Sequence, residues 1–223
     1  MATYSTAIFD LDGTLLETLE DLHLTLNHSL GTFDLGARSF AETRSFVGNG
    51  IKTLVHKAVP KGCDEALEQQ VFDEFNRHYA LHCNDHAHPY EGIPELIAQL
   101  REAGCPIAVV SNKSDYAVQD LVNVYFPGAF DAVLGVREGI AKKPARDMVD
   151  AALTQMGERA QADAACGRAV YIGDSEVDLA TAAAAEMPCI SVTWGFRDTE
   201  QLVSSGATHL VDSPAELAGA LLG

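Results

Sequence analysis

Ala7-Ile8-Phe9-Asp10-Leu11-Asp12-Gly13-Thr14-Leu15 is an apolar run that ends in two carboxylates two residues apart, followed by a glycine and a hydroxyl. Read as a strand running into a turn, it puts Asp10 and Asp12 at the strand's carboxyl end. Open α/β sheets bind ligands in the crevice outside that edge, so the pair stands where chemistry is usually placed. Asp and Gly are also ordinary turn residues, and alone the stretch reads equally well as a turn. An EF-hand calcium loop is set aside, because it needs oxygen ligands at alternate positions and a closing Glu at the twelfth. Leu15, Leu16 and Leu19 occupy that ground instead.

Working outward, Leu19, Leu22, Leu26 and Leu30 recur at threes and fours, which predicts a helix ended by Gly31. Helical spacing continues over 46–59 and 66–81, with Pro60 and Gly62 between them. No strand is predicted between about residue 17 and residue 88. From Tyr90 the pattern alternates. Helices are predicted over 93–103, 115–125, 145–156, 179–185, 200–204 and 215–222; strands are predicted over 107–111, 131–135, 169–173, 189–193 and 209–211. Repeated β-α units imply a parallel sheet with helices on both faces. The expected fold is α/β: a doubly wound, Rossmann-like core of residues 1–16 and 88–223, with an inserted α-helical cap domain over 17–87.

Three further strand ends carry polar chemistry. Ser111-Asn112-Lys113 closes the second core strand, Lys143-Pro144 precedes a helix, and Gly173-Asp174-Ser175-Glu176-Val177-Asp178 closes a later strand. Each has a plain structural reading: Ser111 and Asn112 as helix caps, Lys143 as a surface lysine beside Lys142, Asp174 and Asp178 as acids favoured at a helix amino terminus. Four such strand ends in one parallel sheet converge on one edge, which chance does not readily arrange.

These residues resemble the haloacid dehalogenase superfamily of phosphohydrolases, whose four short motifs match here in order. Asp10-x-Asp12-Gly-Thr14 is similar to the first motif, Ser111 to the second, Lys143 to the third, and Gly173-Asp174 with Asp178 to the fourth. The residue types suit the implied reaction. A carboxylate with an ordinary pKa near 3.9 is ionised at neutral pH, so Asp10 can attack phosphorus without a base to activate it. The leaving alkoxide needs a proton, which assigns Asp12 as general acid and requires neighbours that keep it protonated, with repulsion from nearby carboxylates the expected source. Asp10, Asp174 and a phosphate dianion cannot share a pocket without cations, and magnesium suits hard oxygen ligands. The resemblance implies Asp10, Asp174 and the main-chain oxygen of Asp12 as metal ligands, with Asp178 and Ser175 supporting them from behind. It further implies Lys143 and Ser111 as catalytic partners, with Thr14 and Asn112 at the bound phosphate.

Within the helical insertion, Arg44-Ser-Phe-Val-Gly48-Asn49-Gly50-Ile-Lys52 resembles the cap signature of phosphoglycolate phosphatases, and Thr193-Trp194-Gly195-Phe196 is similar to their late core segment. The likeness implies a small phosphorylated acid as substrate. Gly48 and Gly50 would let backbone approach it, while Asn49, Arg44 or Lys52 meet its carboxylate. Glu17, where an Asp is frequent, and Arg146, where a second proline is common, depart from that pattern. A sugar-phosphate mutase and a non-catalytic phosphate-binding module remain the alternatives. His78 and His82, four apart, have the spacing of a zinc pair; Asn84, Asp85 and Pro89 put His86 and His88 in a loop, and all four are read as surface histidines.

Composition limits the partners. With 47 % hydrophobic and 21 % charged residues over 223, the chain suits a folded core, and its formal charge of −17 opposes nucleic-acid binding, which uses a basic stripe. Five cysteines without a C-x-x-C pair fit a reducing compartment. The expectations are a cytoplasmic protein, monomer or homodimer, with a small phosphorylated metabolite as partner and no membrane span.

Overall fold

The apolar run that opens the sequence forms the strand β1 (Thr6–Phe9), every residue of it buried. In the computed structural model, which describes residues 4–223, the elements that follow are β2 (Leu16–Glu17), α1 (Leu19–Thr32), α2 (Phe40–Phe46), α3 (Ile51–Ala58), α4 (Glu65–His82), β3 (His88–Pro89), α5 (Ile93–Glu102), β4 (Ile107–Ser114) and α6 (Asp115–Tyr125). The chain ends with β5 (Ala132–Val136), α7 (Asp147–Met156), α8 (Glu158–Ala165), β6 (Ala169–Gly173), α9 (Glu176–Ala184), β7 (Cys189–Val192), α10 (Thr199–Ser204), β8 (Leu210–Val211) and α11 (Pro214–Leu222). It divides into two units, Met1–Leu16 with Pro89–Gly223, and Glu17–His88; the short strands β2 and β3 at the two crossings pair with each other.

In the first unit six strands lie in the order β5-β4-β1-β6-β7-β8, and the pairings are parallel. Phe9 stands level with Val109 of β4 and Ile172 of β6. The chain builds outward from β1 through β4 to β5, then returns to β6 on the other side of β1. This reversal is the topological switch point, where a crevice opens at the carboxyl ends of the strands. One face of the sheet packs Ile8, Val110, Leu134 and Tyr171 against Met148, Val149 and Ala152 of α7. The alanine-rich α9 buries Val177, Thr181 and Ala182, small residues that let it lie close to β6 and β7.

The second unit is helical. Helix α1 packs on α4 and α2, and α3 packs on both α2 and α4. Its apolar stripe is Leu22, Leu26 and Leu30, with Val71, Phe75 and Tyr79 of α4 fully buried. Asp21 in the first turn of α1 accepts hydrogen bonds from the backbone N–H groups of His86 and Ala87, both at 3.0 Å, and from His86 Nδ1 at 2.9 Å. That ties down the segment leaving α4.

The helix expected over 46–59 is broken. Helix α2 ends at Phe46 and α3 begins at Ile51, because Gly48 and Gly50 take φ of 122° and 82°, outside the helical region. Helix α2 itself was not foreseen, although Ser39 and Glu42 form a capping box and have its sequence signature. Helix α8 was also missed, as was the length of β4, which runs on through Asn112 and Lys113 to Ser114. Gly31 lies inside α1 instead of ending it, and α9 starts at Glu176, before the expected residue 179. Among the described residues no helix is long and apolar enough to cross a membrane.

Candidate active site

The site is assembled from the loops that leave β1 and β6, the last residues of β4 between them in the chain, and Lys143 in the connection from β5 to α7. Asp10 continues the ladder of β1, its N–H donating to Ile172 O at 2.8 Å, and the chain then folds back so that the N–H groups of Leu15 and Leu16 bond Leu11 O at 2.9 and 3.0 Å. Gly13 makes this turn with φ +84°, and a Cβ there would overlap the Asp174 carboxylate. Gly195 is equally constrained, since its Cβ would collide with Asp174 and with Gly13 O. Backbone bulk therefore sets how closely the loops after β1, β6 and β7 meet.

Asp10 is buried, and its Oδ1 accepts the Leu11 N–H at 2.7 Å and Lys143 Nζ at 2.9 Å. Lys143, 1 % exposed, also donates to Asp178 Oδ1 at 2.8 Å, above the Tyr171 ring. Asp178 Oδ2 accepts the Ser175 N–H at 3.1 Å and the Ser175 hydroxyl at 2.6 Å, the capping box of α9. Both oxygens of Asp178 are thus committed to protein donors. Asp174 Oδ2 accepts the Phe196 N–H at 2.7 Å, and its Oδ1 faces the Thr14 hydroxyl at 3.4 Å. Trp194 Nε1 donates to Thr14 O at 3.0 Å, which fixes the same loop from outside.

Asp10, Asp174 and Asp178 each offer an oxygen within 4.8 Å of the others, the group of this kind found among the described residues. Burial is the largest cause that pushes Asp10 well above the carboxylate range; Asp178 and Asp174 add repulsion, and Lys143 pulls the other way. Burial and Asp178 likewise push Asp174 up to about 7, opposed by the Phe196 N–H, Arg197 and Lys143. For Lys143 burial works against the charge, yet Asp10 and Asp178 together hold the ammonium well above its usual value. The cluster therefore carries more negative charge than its one buried ammonium balances.

Asp12 has different surroundings from those the sequence implied. Lys113 Nζ lies 2.8 Å from Asp12 Oδ1, so the neighbour that faces this side chain is a buried ammonium in place of a repelling carboxylate. Lys113 belongs to the stretch that closes the second core strand, and sequence reasoning assigns it no role. A lysine at the end of a strand that starts fully apolar was the available signal. Ser111 is buried and its hydroxyl accepts the Lys113 N–H at 3.2 Å, while Asn112 Nδ2 donates to Lys143 O at 3.1 Å. Neither caps α6, whose N-cap is Ser114.

Of the residues singled out from sequence, Asp10, Asp12, Thr14, Ser111, Asn112, Lys143, Asp174, Ser175 and Asp178 meet at this edge. Arg44, Gly48, Asn49, Gly50 and Lys52 belong to the helical unit, from the last turn of α2 through its connection into the first turn of α3. His78 stacks between His28 and His82, at 3.9 and 4.2 Å between ring centroids, and the side chains of His28 and His82 are 44 % and 43 % exposed. His82, His86 and His88 are at the surface, as read, whereas His78 is half-buried between the two rings, with its Nδ1 3.2 Å from the Thr25 hydroxyl.

Residues 7–192 match the family described as haloacid dehalogenase-like hydrolase. The chain is 34 % identical over 197 residues to a phosphoglycolate phosphatase of Mesorhizobium japonicum, covering 86 % of this chain and 83 % of that one. It is 30 % identical over 219 residues to a phosphoglycolate phosphatase of Xanthomonas campestris pv. campestris, with 94 % and 93 % covered. A crystal structure from Lactobacillus delbrueckii subsp. bulgaricus, whose assignment as a phosphoglycolate phosphatase is itself provisional, superposes with a TM-score of 0.91 at 36 % identity over 100 % of both chains. The family match spans most of the chain and takes in the strands whose loops form the carboxylate cluster, so this protein belongs to the haloacid dehalogenase-like hydrolases.

Proposed function

We propose that the protein is a magnesium-dependent phosphatase that hydrolyses a small phosphate monoester of the phosphoglycolate kind through a phosphorylated Asp10. The observation that carries the reading is the pairing of a buried carboxylate, Asp10, with the equally buried Lys143 ammonium at 2.9 Å, at the switch point of the sheet. The names of the relatives support the substrate class.

The donor set suits magnesium: hard carboxylate oxygens, desolvated, with too little positive charge of their own. Asp10 and Asp174 would hold the ion together with the main-chain oxygen of Asp12, and Asp178, engaged by Lys143 and Ser175, orients the lysine instead. Bound there, the ion would supply positive charge that keeps Asp10 ionised and offsets the charge of the phosphate.

Lys143 fixes the Asp10 carboxylate through Oδ1 and shields it from the incoming phosphate dianion. An oxygen of Asp10 forms the new bond to phosphorus as the ester P–O bond breaks, and the departing alkoxide takes its proton from Asp12, which enters the step protonated although its partner in the free protein is the Lys113 ammonium and not a repelling carboxylate. Water then attacks the aspartyl phosphate, Asp12 takes back a proton, and inorganic phosphate leaves with Asp10 restored. Ser111, Thr14 and Asn112 hold the oxygens that are not transferred. The likeness of their stretch to phosphoglycolate phosphatases is what assigns Arg44, Asn49 and Lys52, with the backbone at Gly48 and Gly50, to the substrate's carboxylate.

The test is phosphate release from a panel of phosphorylated metabolites with magnesium and with excess chelator. Release that is fastest from small phosphorylated acids and lost on chelation is expected. Full activity in chelator, or none on any monoester, would contradict the proposal.

A further inference from the structure

Two lysines are buried at the carboxyl edge of the sheet, their side chains 2 % and 1 % exposed, and they face different partners. Lys143 serves Asp10 and Asp178, on the side where the phosphoryl group is received. Lys113 stands on Asp12, and the reaction as described gives it no task. A buried ammonium is costly to keep unless it is paired, so its place beside Asp12 is a built feature of the site.

Its distance from the reacting atoms follows from the role of Asp12. A proton donor comes within about 2.6–3.2 Å of the oxygen it protonates. Lys113 Nζ is 2.8 Å from Asp12 Oδ1, which puts the ammonium within about 6 Å of the leaving oxygen when the proton passes through that atom. A carboxylate on the carbon bonded to the ester oxygen bridges this gap; a methyl group there does not meet the charge.

We propose that Lys113 is a specificity-determining residue, whose ammonium, 2.8 Å from Asp12, binds the carboxylate carried by the carbon next to the ester oxygen of the substrate. The assignment rests on the phosphatase reading and on Asp12 as proton donor. It places part of the choice of substrate in the core itself, on the strand β4.

The experiment compares phosphoglycolate with ethyl phosphate, which has the same skeleton without the carboxylate, in the wild type, Lys113→Met and Lys113→Arg. p-Nitrophenyl phosphate, whose leaving group needs little protonation, reports whether the nucleophile is assembled in each variant. Removing one partner of a buried charged contact costs about thirtyfold or more in affinity. Lys113→Met is therefore expected to collapse the preference for phosphoglycolate over ethyl phosphate by at least that factor, through a raised KM for phosphoglycolate, while Lys113→Arg keeps the preference. Binding of 3-phosphonopropionate, a non-hydrolysable analogue, should weaken in Lys113→Met relative to propylphosphonate, measured by calorimetry. A preference left intact in Lys113→Met, or an equal loss on all three substrates, overturns the assignment. So does a wild type that hydrolyses both alkyl phosphates equally well, and in that case the phosphatase reading survives. A wild type that hydrolyses no monoester fells both.

Discussion

Asp174→Asn should make the metal-free protein more stable while disabling it. The carboxyl is pushed from 3.8 up to about 7 by burial and by Asp178. A raised carboxyl pKa means that the folded state holds a proton that the unfolded chain has released. Stability therefore falls as pH rises between those values and levels off above them. Taking those two values, this one group costs about 2 kcal/mol at pH 5 and about 4 kcal/mol at pH 8. Asparagine removes the ionisation and keeps an oxygen for the Phe196 N–H. The variant's gain over wild type should then be larger at pH 8 than at pH 5 by about 2 kcal/mol, or about 4–8 °C in melting temperature for a chain of this size. Thermal melts in chelator at the two pH values measure it. Saturating magnesium should cut the variant's advantage at pH 8 to about 1 kcal/mol, adding about 3 kcal/mol to wild type at a hundredfold excess over Kd and little to the variant. An equal gain at both pH values, a loss of stability at pH 8 without metal, or an undiminished magnesium shift in Asp174→Asn would refute the reasoning.

If Asp12 is the proton donor proposed above, Asp12→Asn should lower turnover of alkyl phosphates by a factor of about 10² to 10⁴, and that of p-nitrophenyl phosphate much less. Steady-state rates on the two classes check this; equal losses would contradict it. Lys143→Met leaves Asp10 and Asp178 buried without their ammonium and should cost about 3–5 kcal/mol of stability along with the activity, read from denaturant midpoints at pH 8.

The carboxylate cluster was legible because its residues are polar at places where apolar strands end. β1, β4 and β6 read as runs of Ile, Val, Phe and Tyr, and the carboxylates stand out against them, whereas Lys143, seven residues past the end of β5, drew its role only from the family resemblance. Helix α8 was illegible for the opposite reason: Glu-Arg-Ala-Gln-Ala-Asp-Ala-Ala contains no large apolar residue, and its buried positions are Ala160 and Asp163. Asp163 is held by the Thr6 hydroxyl at 3.0 Å and by Arg168 at 2.7 Å, contacts across the chain that periodicity does not encode. Helix α2 was overlooked although its capping box was visible at Ser39 and Glu42. The surroundings of Asp12 could not be read from spacing along the chain, because which side chain meets it depends on how β4 lies beside β1. The Phe196 N–H that holds Asp174 is a main-chain donor, which side-chain identity does not reveal.

The central claim is that Asp10, and not Asp12, takes the phosphoryl group. The enzyme is mixed with phosphoglycolate and magnesium, quenched in acid, reduced with borohydride to convert an acyl phosphate to the alcohol, and mapped by mass spectrometry. The modified residue should be Asp10 in wild type and in Asp12→Asn, and Asp10→Asn should yield neither the adduct nor free phosphate. A phosphoryl group found on Asp12, or wild-type turnover by Asp10→Asn, would contradict the account.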